Sequence, residues 1–368
     1  MKYLWIAGAV VLAVAVVLTV VKYNGKRNML APTIVGAIGA FLLVSGWLFV
    51  VDPNAAKNEA IKTGGLAGGS VIALYALWLN DRKRRTEEAR QEIEKERQDL
   101  ENQRAEHDRS RVADERFARA VELLGHDTDQ VRVGALHALA GLARSRTEYT
   151  QTVLDIVCSY LRRPFELGDE HGDHDEAELQ VRRTAQRLIA DLLPEVGVVD
   201  APHYEVDLSK ATLAFLELTN RQIGRLILRD AEFHYSNSLH HSHVHGDVFL
   251  SGSTTKGRLH LLDMVFHGKV SFQVATTDDW VDFRNTRFHG PAKFTRTEFS
   301  GPVSFEGAVF DQPVEMSGTK FTGGLDLRTA VPQEATTNAM VVSLNHENRL
   351  PDGWVVDQRP DGTGLVRS

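Results

Sequence analysis

Residues 283–310 read FRNTRFHGPAKFTRTEFSGPVSFEGAVF, and this stretch carries the clearest repeat of the chain. Phenylalanine recurs here in pairs five residues apart, and the pairs themselves repeat every eleven residues. An eleven-residue period also occurs in right-handed helical coils. The glycines, β-branched residues and aromatic residues of the stretch favour short strands over a helix. The pairs are Phe283 and Phe288, Phe294 and Phe299, and Phe305 and Phe310.

The same period extends along residues 206–327. Every eleventh residue from Leu228 is apolar, and a second track five residues later is mostly apolar. Two such half-turns make a coil of about 22 residues, so the segment holds about five to six coils. The first track is Leu228, Leu239, Leu250, Leu261, Phe272, Phe283, Phe294, Phe305, Met316 and Leu327. The second is Phe233, Val244, Thr255, Phe266, Thr277, Phe288, Phe299, Phe310 and Phe321.

Small residues and glycines also recur in phase. A small residue lies two positions before most second-track positions, and Met264 is the exception. We expect the small residue to let the chain turn inward, and glycine to permit the backbone conformation at a corner. The small residues are Ala231, Ser242, Ser253, Ala275, Thr286, Thr297, Ala308 and Thr319. The glycines are Gly224, Gly246, Gly257, Gly268, Gly290, Gly301 and Gly323.

This pattern resembles the pentapeptide-repeat family. The resemblance rests on FRNTRF at 283–288, FTRTEF at 294–299, FEGAVF at 305–310 and the plainer five-residue form VDLSKATL at 206–213. It implies the family's fold, a right-handed quadrilateral β-helix, for residues 201–330. The Pro-Asp-Gly turns that follow indicate short strands, so we interpret residues 331–368 as a C-terminal tail or cap.

One stretch departs from the repeat and is rich in histidine. Residues 234–257 contain His240, His241, His243 and His245, and we expect a bulge or a broken coil there. Two interpretations of these histidines stay open. Imidazole is a common metal ligand, which favours a metal site in residues 234–245. The alternative is a set of surface histidines on alternating faces of the chain.

A group of carboxylates occurs at an irregular corner of the repeat. Asp278, Asp279 and Asp282 stand beside Trp280. Paired carboxylates can perform acid–base chemistry, but a solvated turn is the simpler interpretation of this spacing.

Two further places hold metal-ligating or nucleophilic side chains. His171 and His174 lie in an acidic loop whose spacing matches no defined metal site, so a solvated loop is favoured. Cys158 lies on an apolar helix face and is expected to be a buried, inert thiol. We therefore predict no catalytic, cofactor-binding or metal-binding residue in this chain.

Three apolar runs lie in the N-terminal part of the chain, at 3–21, 30–51 and 63–79. The first two are long enough to cross a bilayer as helices, whereas the third is shorter and rich in glycine. A signal peptide at the first run and buried helices of a soluble protein are the alternatives. We predict a membrane anchor of about three helices over residues 1–80. No charged residue lies inside the runs, so a transporter lacks its usual mark.

The basic residues of the loops predict the orientation in the membrane. The loop after the first run carries Lys22, Lys26 and Arg27, and residues 82–85 after the third run are all basic. The second loop, 52–62, balances two lysines with two acidic residues. Basic loops are retained in the cytoplasm. The N-terminus is then outside and residues 81–368 are cytoplasmic.

Two glycine strips follow one another in the third run, Gly64 with Gly68 and Gly65 with Gly69. Glycines four residues apart make a flat strip on which helix backbones approach closely. The strips indicate packing against the other spans of the same chain or homo-oligomerisation, and both interpretations stay open.

Residues 81–124 predict a charged helical stalk. There are 13 acidic and 12 basic residues between 81 and 122, without proline or glycine, which indicates a solvated helix of about 60 Å. Ile93 and Leu100 are a heptad apart, but Glu96 and Gln103 weaken the case for a coiled coil. Residues 125–200 then predict a helical segment similar to a HEAT-type pair, which should pack on a neighbouring part.

The composition restricts the function. The 368 residues include 42 Lys and Arg and 49 Asp and Glu, a formal charge of −7, which argues against a nucleic-acid partner. The single cysteine excludes a disulfide scaffold and a Cys-based zinc cluster. The whole arrangement resembles bacterial membrane-anchored pentapeptide-repeat proteins, with ERFARAVELLG at 115–125 and QVRVGALHAL at 130–139 as further matching segments.

We predict a non-enzymatic scaffold in the cell membrane whose cytoplasmic repeat domain binds a protein partner. The partners are then the lipid bilayer and this protein, with homo-oligomerisation open. One alternative is a DNA mimic that acts on a topoisomerase, but residues 206–327 have 14 acidic and 12 basic residues and are too weakly acidic. The other alternative is an enzyme, although the sequence has no phosphate-binding loop, nucleophile elbow or zinc-protease motif.

Overall fold

The structure is a computed structural model, and it describes residues 3–24, 30–51, 57–167, 175–328 and 335–367. The chain forms two compact units, Met1–Asp108 and Arg109–Ser368. The sequence-based boundaries at residues 80, 124, 200 and 330 stay predictions. Of the residues named above, Lys26, Arg27, His171 and His174 lie outside the described ranges, and so does Asp52, one of the two acidic residues of the second loop.

The first unit contains helices α1 (Leu4–Asn24), α2 (Leu30–Val51) and the first part of α3 (Lys57–Leu124). By length and composition, all three helices are able to cross a membrane. Their number agrees with the three apolar runs of the sequence. The third run and the charged stalk belong to the one helix α3, whose exposed Arg84 and Glu88 pair at 3.0 Å one turn apart.

The two glycine strips of α3 have different surroundings. A Cβ atom at Gly68 would lie 2.9 Å from the carbonyl oxygen of Ala37 in α2, and one at Gly64 would lie 2.9 Å from that of Phe41. A Cβ at Gly65 or Gly69 would meet no described atom within 4 Å. The Gly64 strip therefore packs within the chain, and the Gly65 strip faces open space.

Three helices of the second unit follow α3 and cover the predicted helical segment. They are α4 (Asp129–Ser145), α5 (Thr150–Leu161) and α6 (Glu176–Leu192), with a short 3-10 turn at Thr147–Tyr149. Their apolar faces are buried and join those of the following coils in one continuous core. The helices thus pack on a neighbouring part, as the sequence predicts, and that part is the first coil.

Residues 205–328 form a four-sided β-solenoid of about six coils, in which each side is a parallel sheet. Side 1 contains β1 (Glu205–Asp207), β4 (Arg225–Ile227), β8 (Val248–Phe249), β12 (Val270–Ser271), β16 (Ala292–Lys293) and β20 (Val314–Glu315). Side 2 contains β2 (Thr212–Ala214), β5 (Glu232–His234), β9 (Thr254–Thr255), β13 (Thr276–Thr277), β17 (Glu298–Phe299) and β21 (Lys320–Phe321). Side 3 contains β6 (Ser236–Ser238), β10 (Arg258–His260), β14 (Val281–Asp282), β18 (Val303–Ser304) and β22 (Leu325–Asp326). Side 4 contains β3 (Gln222–Ile223), β7 (His243–Val244), β11 (Val265–Phe266), β15 (Arg287–Phe288) and β19 (Val309–Phe310).

The core of the solenoid confirms the period of the sequence. Every residue of the two apolar tracks and of the small-residue track is buried. Aromatic rings of successive coils stack, with 4.7 Å between the ring centroids of Phe283 and Phe305 and 4.6 Å between those of Phe288 and Phe310. The small residue is often threonine because its hydroxyl bonds the previous coil. Thr286 Oγ1, for example, donates to the carbonyl oxygen of Leu261 at 2.6 Å.

Of the two expectations for residues 234–257, a bulge or a broken coil, the broken coil is wrong. The strands of this stretch pair in register with their neighbours on both sides. The change is instead one of coil length, because the step from Val206 to its partner Leu226 is shorter than the step from Val281 to Val303. Asn237 lies where the coil length changes. Its fully buried side chain accepts from the N–H of Leu216 at 3.0 Å and donates to the carbonyl of His234 at 3.0 Å.

The expected role of the in-phase glycines also needs correction. Left-handed backbone occurs at a different position, which recurs every eleven residues along the coils. A Cβ at Gly246 would lie 2.6 Å from the carbonyl oxygen of Gly224, and Gly268 and Gly290 stack in the same way. These glycines therefore permit close approach of successive coils. The left-handed residues are Asp230, His241, Gly252, Asp263, Val274, Asn285, Arg296, Gly307 and Gly318.

Both ends of the solenoid are covered. At the first coil, the Gln151 side chain of α5 pairs with the backbone of Glu205, accepting its N–H at 2.9 Å and donating to its carbonyl at 3.1 Å. At the last coil, β23 (Val341–Ser343) and β24 (Asn348–Arg349) continue sides 2 and 3. Strands β25 (Val355–Gln358) and β26 (Thr363–Arg367) then add an antiparallel hairpin. Covered ends prevent edge-to-edge aggregation of a solenoid.

Candidate functional site

A groove of about 400 Å³ lies between α6 and the first coil of the solenoid. Helix α6 supplies one wall, and the side chains of the first coil supply the other. The wall on α6 is formed by Gln180, Arg183, Thr184, Arg187, Ala190 and Asp191. The wall on the coil is formed by Phe215, Glu217, Thr219 and Arg221.

Helix α6 is held in place by a buried arginine next to the groove. Arg182 is 2% exposed, and its Nε donates to Glu178 Oε1 at 2.8 Å. Its terminal nitrogens donate to the carbonyl oxygens of Leu161 at 3.0 Å and Arg163 at 2.7 Å. Burial lowers the pKa of Arg182, and the hydrogen bond to Glu178 opposes this effect. Because this network fixes the rotation of α6, the neighbouring Arg183 is held on the exposed side.

An arginine and two aromatic rings form a stack at the groove. The Arg183 guanidinium lies 4.9 Å from the centroid of the Phe215 ring, and that ring stacks on Tyr235 of the next coil at 4.7 Å. Both aromatic residues have left-handed backbone, with φ of 59° and 58°, and both are nearly half exposed. Large side chains rarely adopt this conformation, and such strain concentrates at functional sites.

Two donors of the groove have no partner among the described residues. They are Nε of Arg221 and the hydroxyl of Thr219, both of which are inaccessible to water. The other end of the Arg221 guanidinium is 3.5 Å from Glu195 Oε1. Buried polar atoms without a partner are rare in proteins and call for an explanation. Both groups can donate a hydrogen bond, and the hydroxyl of Thr219 can also accept one.

A histidine ladder runs along one corner of the solenoid. His203, which precedes the first coil, stacks on His245 with ring centroids 3.8 Å apart. His245 stacks on His267 at 4.9 Å, and His267 stacks on His289 at 5.1 Å. The ladder ends at Asp311, whose Oδ2 is 2.6 Å from Nδ1 of His289. His203 reaches His245 because Gly224 takes the ladder position in the first coil.

The surroundings of His245 and His267 favour their neutral forms. Burial lowers the pKa of His245, and the neighbouring His203 and His267 lower it further. Burial likewise lowers the pKa of His267, with an added effect of His289. Both shifts favour the neutral form of these two rings.

The predicted histidine group is divided by the structure. His243 and His245 lie beside His267, whereas the rings of His240 and His241 contact each other with centroids 5.0 Å apart. Stacked rings turn their faces, and not their nitrogen atoms, toward one another. Within the described ranges, no group of three or more His, Cys, Asp or Glu side chains has a geometry that could hold a metal ion.

The aspartates around Trp280 have separate structural partners. Asp282 is 1% exposed, and its oxygens accept from Nε and Nη2 of Arg284 at 2.9 and 2.8 Å. Asp279 accepts from the N–H of Trp280 at 2.7 Å, and Asp278 is exposed. The first two carboxylates thus stabilise the turns of their coil. The Arg284 guanidinium also lies 5.6 Å from the centroid of the Trp280 ring.

Cys158 lies in the core of the helical segment at 1% exposure. Burial raises the pKa of its thiol to about 12, so the reactive thiolate is not populated near neutral pH. The expectation of a buried Cys158 is confirmed.

Sequence reasoning missed the groove and most of the ladder. A signal for the groove exists, because Phe215 and Tyr235 are large aromatic residues that lie outside the two apolar tracks and one coil apart. A side chain of that size off the buried tracks must lie on the surface. His203 has no such signal, since it precedes the repeat and reaches His245 only through the packing of the first coil.

Comparison with known proteins identifies one region of the chain. Residues 283–331 match the family model for pentapeptide repeats, described as nine copies. No curated protein matches the chain, and no solved structure does. The matched region overlaps the coils with stacked phenylalanines, and it lies outside the groove.

Proposed function

We propose that this chain, with its pentapeptide repeats and β-solenoid, is a membrane-anchored, non-enzymatic scaffold whose cytoplasmic domain binds a protein partner. The observation that carries the proposal is the single continuous core shared by helices α4–α6 and the solenoid. A continuous core makes the second unit rigid, and rigid solenoids supply extended surfaces on which a partner binds.

The charge of the solenoid surface supports a protein partner. Ion pairs connect successive coils along its sides, such as Lys293 with Glu315 at 2.5 Å and Lys320 with Glu298 at 3.4 Å. Residues 206–327 carry 14 acidic and 12 basic residues, so neither sign dominates. Such a surface differs from the extended basic patch of a nucleic-acid binder and from the acidic surface that a DNA mimic needs.

The membrane part of the proposal rests on the first unit. Helices α1 and α2 have the length and composition of membrane spans, and so does the apolar part of α3. The basic residues 82–85 follow that part directly. Because basic flanks are retained in the cytoplasm, the second unit lies on the cytoplasmic side.

Partner capture from the source cells tests the scaffold. The full-length chain is tagged, cross-linked in intact cells and recovered in detergent, together with charge-reversal variants on each side of the solenoid. We expect a stoichiometric protein that is lost in at least one variant and kept in the others. Recovery of no protein at the native expression level contradicts the proposal.

Protease protection in membrane vesicles tests the orientation. In inside-out vesicles the second unit is expected to be digested, whereas right-side-out vesicles should protect it. The opposite pattern contradicts a cytoplasmic second unit. Release of the chain by alkaline carbonate, without detergent, contradicts the membrane anchor.

A further inference from the structure

We propose that the groove between α6 and the first coil binds an extended acidic segment of the protein partner. This inference rests on the proposed scaffold function and adds the binding surface and the chemistry of the partner. The groove combines free guanidinium groups, unsatisfied donors and exposed aromatic rings at one place.

The charge of the groove points to an anionic ligand. Three arginines line it, and Arg183 and Arg187 make no ion pair with any described residue. Of the two carboxylates in the lining, Asp191 is paired with Arg144 at 3.7 Å, and Glu217 is exposed on the opposite wall. Three arginines against two carboxylates leave the lining with a formal charge of +1. The chain as a whole has a formal charge of −7, so this groove is positive on a negative protein. Guanidinium groups bind carboxylates with two parallel hydrogen bonds.

The unsatisfied atoms agree with this ligand class. Arg221 Nε and Thr219 Oγ1 both have a hydrogen to donate and no acceptor among the described residues. A carboxylate supplies acceptors only, with about four lone-pair positions. Because both atoms are inaccessible to water, they would reach a ligand only after Arg221 turns outward, and the accessible guanidinium groups of the groove are those of Arg183 and Arg187.

The shape of the groove favours an extended peptide. Its wall on α6 runs from Gln180 to Asp191, which corresponds to about 16 Å along the helix axis. An extended chain of about five residues covers this length. The side chains on the wall recur at helical spacing on one face of α6, so successive carboxylates of the segment meet Arg183 and Arg187 in turn.

The strained aromatic pair gives the groove a fixed border. Phe215 and Tyr235 hold left-handed backbone although glycine would adopt it without strain. Their rings keep the Arg183 guanidinium at a fixed position by stacking. A positioned guanidinium loses less entropy when it binds a carboxylate.

A peptide titration tests the inference with the full-length chain in mild detergent. The probe is fluorescein-labelled pentaglutamate, followed by fluorescence anisotropy, with labelled pentaglutamine as the neutral control. We expect binding of pentaglutamate that weakens as salt is added. The double variant R183E/R187E should bind it about tenfold more weakly or worse, because two charge-assisted contacts are lost. Equal binding by the wild type and the double variant overturns the inference.

Matched variants separate the groove from general charge. Arg287→Glu changes an exposed arginine on the solenoid outside the groove and should leave the titration unchanged. R183E/R187E should unfold at about the wild-type temperature, because both side chains are exposed, and this measurement shows that the variant still folds. Loss of pentaglutamate binding in Arg287→Glu to the same extent contradicts a localised site.

Phe215→Gly tests the aromatic border. Glycine removes the ring and the backbone strain together, so the variant should unfold at the same or higher temperature. We expect weaker pentaglutamate binding despite this stability, because the Arg183 guanidinium loses the Phe215 ring on which it stacks. Unchanged binding contradicts the role of the aromatic stack.

Two further outcomes are decisive. If inorganic phosphate displaces pentaglutamate at concentrations where free glutamate does not, the groove is a phosphate site and the peptide inference is wrong. If R183E/R187E still captures the cellular partner, the partner binds elsewhere, so the groove inference fails and the scaffold stands. If the wild type captures no partner, the scaffold proposal fails, whatever the peptide titration shows.

Discussion

The first two coils, residues 205–247, and the later coils, residues 248–328, fill the same axis with different side chains. In the later coils phenylalanine stacks on phenylalanine, as in the 5.4 Å contact between the centroids of Phe272 and Phe294. In the first two coils the axis is filled mostly by leucine, and buried Asn237 and Ser242 bridge the backbone where the coil length changes.

The surface features differ in the same way. The left-handed aromatic pair and the arginines of the groove belong to α6 and the first two coils, and the ladder begins there. The later coils repeat the same stacked phenylalanines in the core with little variation. Regular coils thus supply stability and length, whereas side chains suited to binding occur where the repeat changes register.

The largest effect is expected from a large-to-small change in the regular coils. Phe283→Ala removes a ring that contacts Phe272, Phe294 and Phe305. We expect a loss of about 3–5 kcal/mol in the free energy of unfolding, from lost burial and the cavity left behind. Arg287→Ala in the same coil should cost less than about 0.5 kcal/mol. Denaturant unfolding measures both, and similar losses contradict a continuous apolar column.

Asn237→Leu tests the irregular coils. It leaves the buried N–H of Leu216 without its acceptor, which should cost about 1–3 kcal/mol. The matched change in the regular coils is Thr286→Val, which removes one hydroxyl that donates to Leu261. Its expected cost is about 1 kcal/mol, because only one hydrogen bond is lost. If Thr286→Val lowers the free energy of unfolding more than Asn237→Leu does, the hydrogen bonds of Asn237 do not stabilise the change in coil length.

The histidine ladder extends from the first coils into the later coils, and it predicts that the free energy of unfolding depends on pH. His245 and His267 have a lowered pKa, so the folded chain binds fewer protons than the unfolded chain. The free energy of unfolding should therefore fall as the pH decreases from about 6.5 through the lowered values. The rings are partly exposed, so we expect a change below about 1 kcal/mol.

Unfolding titrations between pH 7.5 and pH 5 at about constant ionic strength measure this slope. His267→Gln should reduce it, because the middle ring of the ladder no longer gains a proton on unfolding. The matched control is His137→Gln, which removes an exposed histidine on α4, outside the ladder. An unchanged slope in His267→Gln contradicts the proton linkage of the ladder. The charged or titratable groups facing the ladder are His203, His243, His289 and Asp311.

A small effect of defined sign is expected at the left-handed turn position. Val274 has φ of 60°, which is unfavourable for a β-branched residue, whereas Asn285 occupies the next such position with φ of 55°. Val274→Asn should stabilise the chain by about 0.5–1 kcal/mol, and Asn285→Val should destabilise it by a similar amount. Thermal unfolding of the pair measures both signs. The same sign for both changes contradicts backbone strain as the cause.

Much of the solenoid could be predicted because its determinants are local and repeated. Each coil buries the same positions, so successive coil halves give the same signal along the sequence and burial follows from the period. The glycines show where this reasoning fails. A glycine looks the same in a sequence whether it supplies left-handed backbone or close approach, and Gly246 is explained only by the carbonyl of Gly224, one coil earlier.

The covered ends and the groove could not be predicted because they depend on pairs far apart in the chain. Gln151 meets Glu205 over 54 residues, and Arg183 meets Phe215 only because Arg182 fixes α6. None of these pairs repeats, so no period indicates them. The groove is built from such non-repeating long-range contacts. For this reason no residue of the groove was predicted from the sequence.

The sequence step between paired strands is constant in the later coils, from Val281 to Val303 and from Val303 to Leu325, so each of these coils is interchangeable with its neighbours. An in-frame duplication or deletion of one such step would leave every remaining strand opposite an equivalent partner. Each event would change the height of the column by about 4.8 Å, the distance between neighbouring strands. Duplication or deletion of whole coils can therefore change the distance between the groove at the first coil and the hairpin at the last coil in fixed steps. Both ends of the solenoid stay intact in each case.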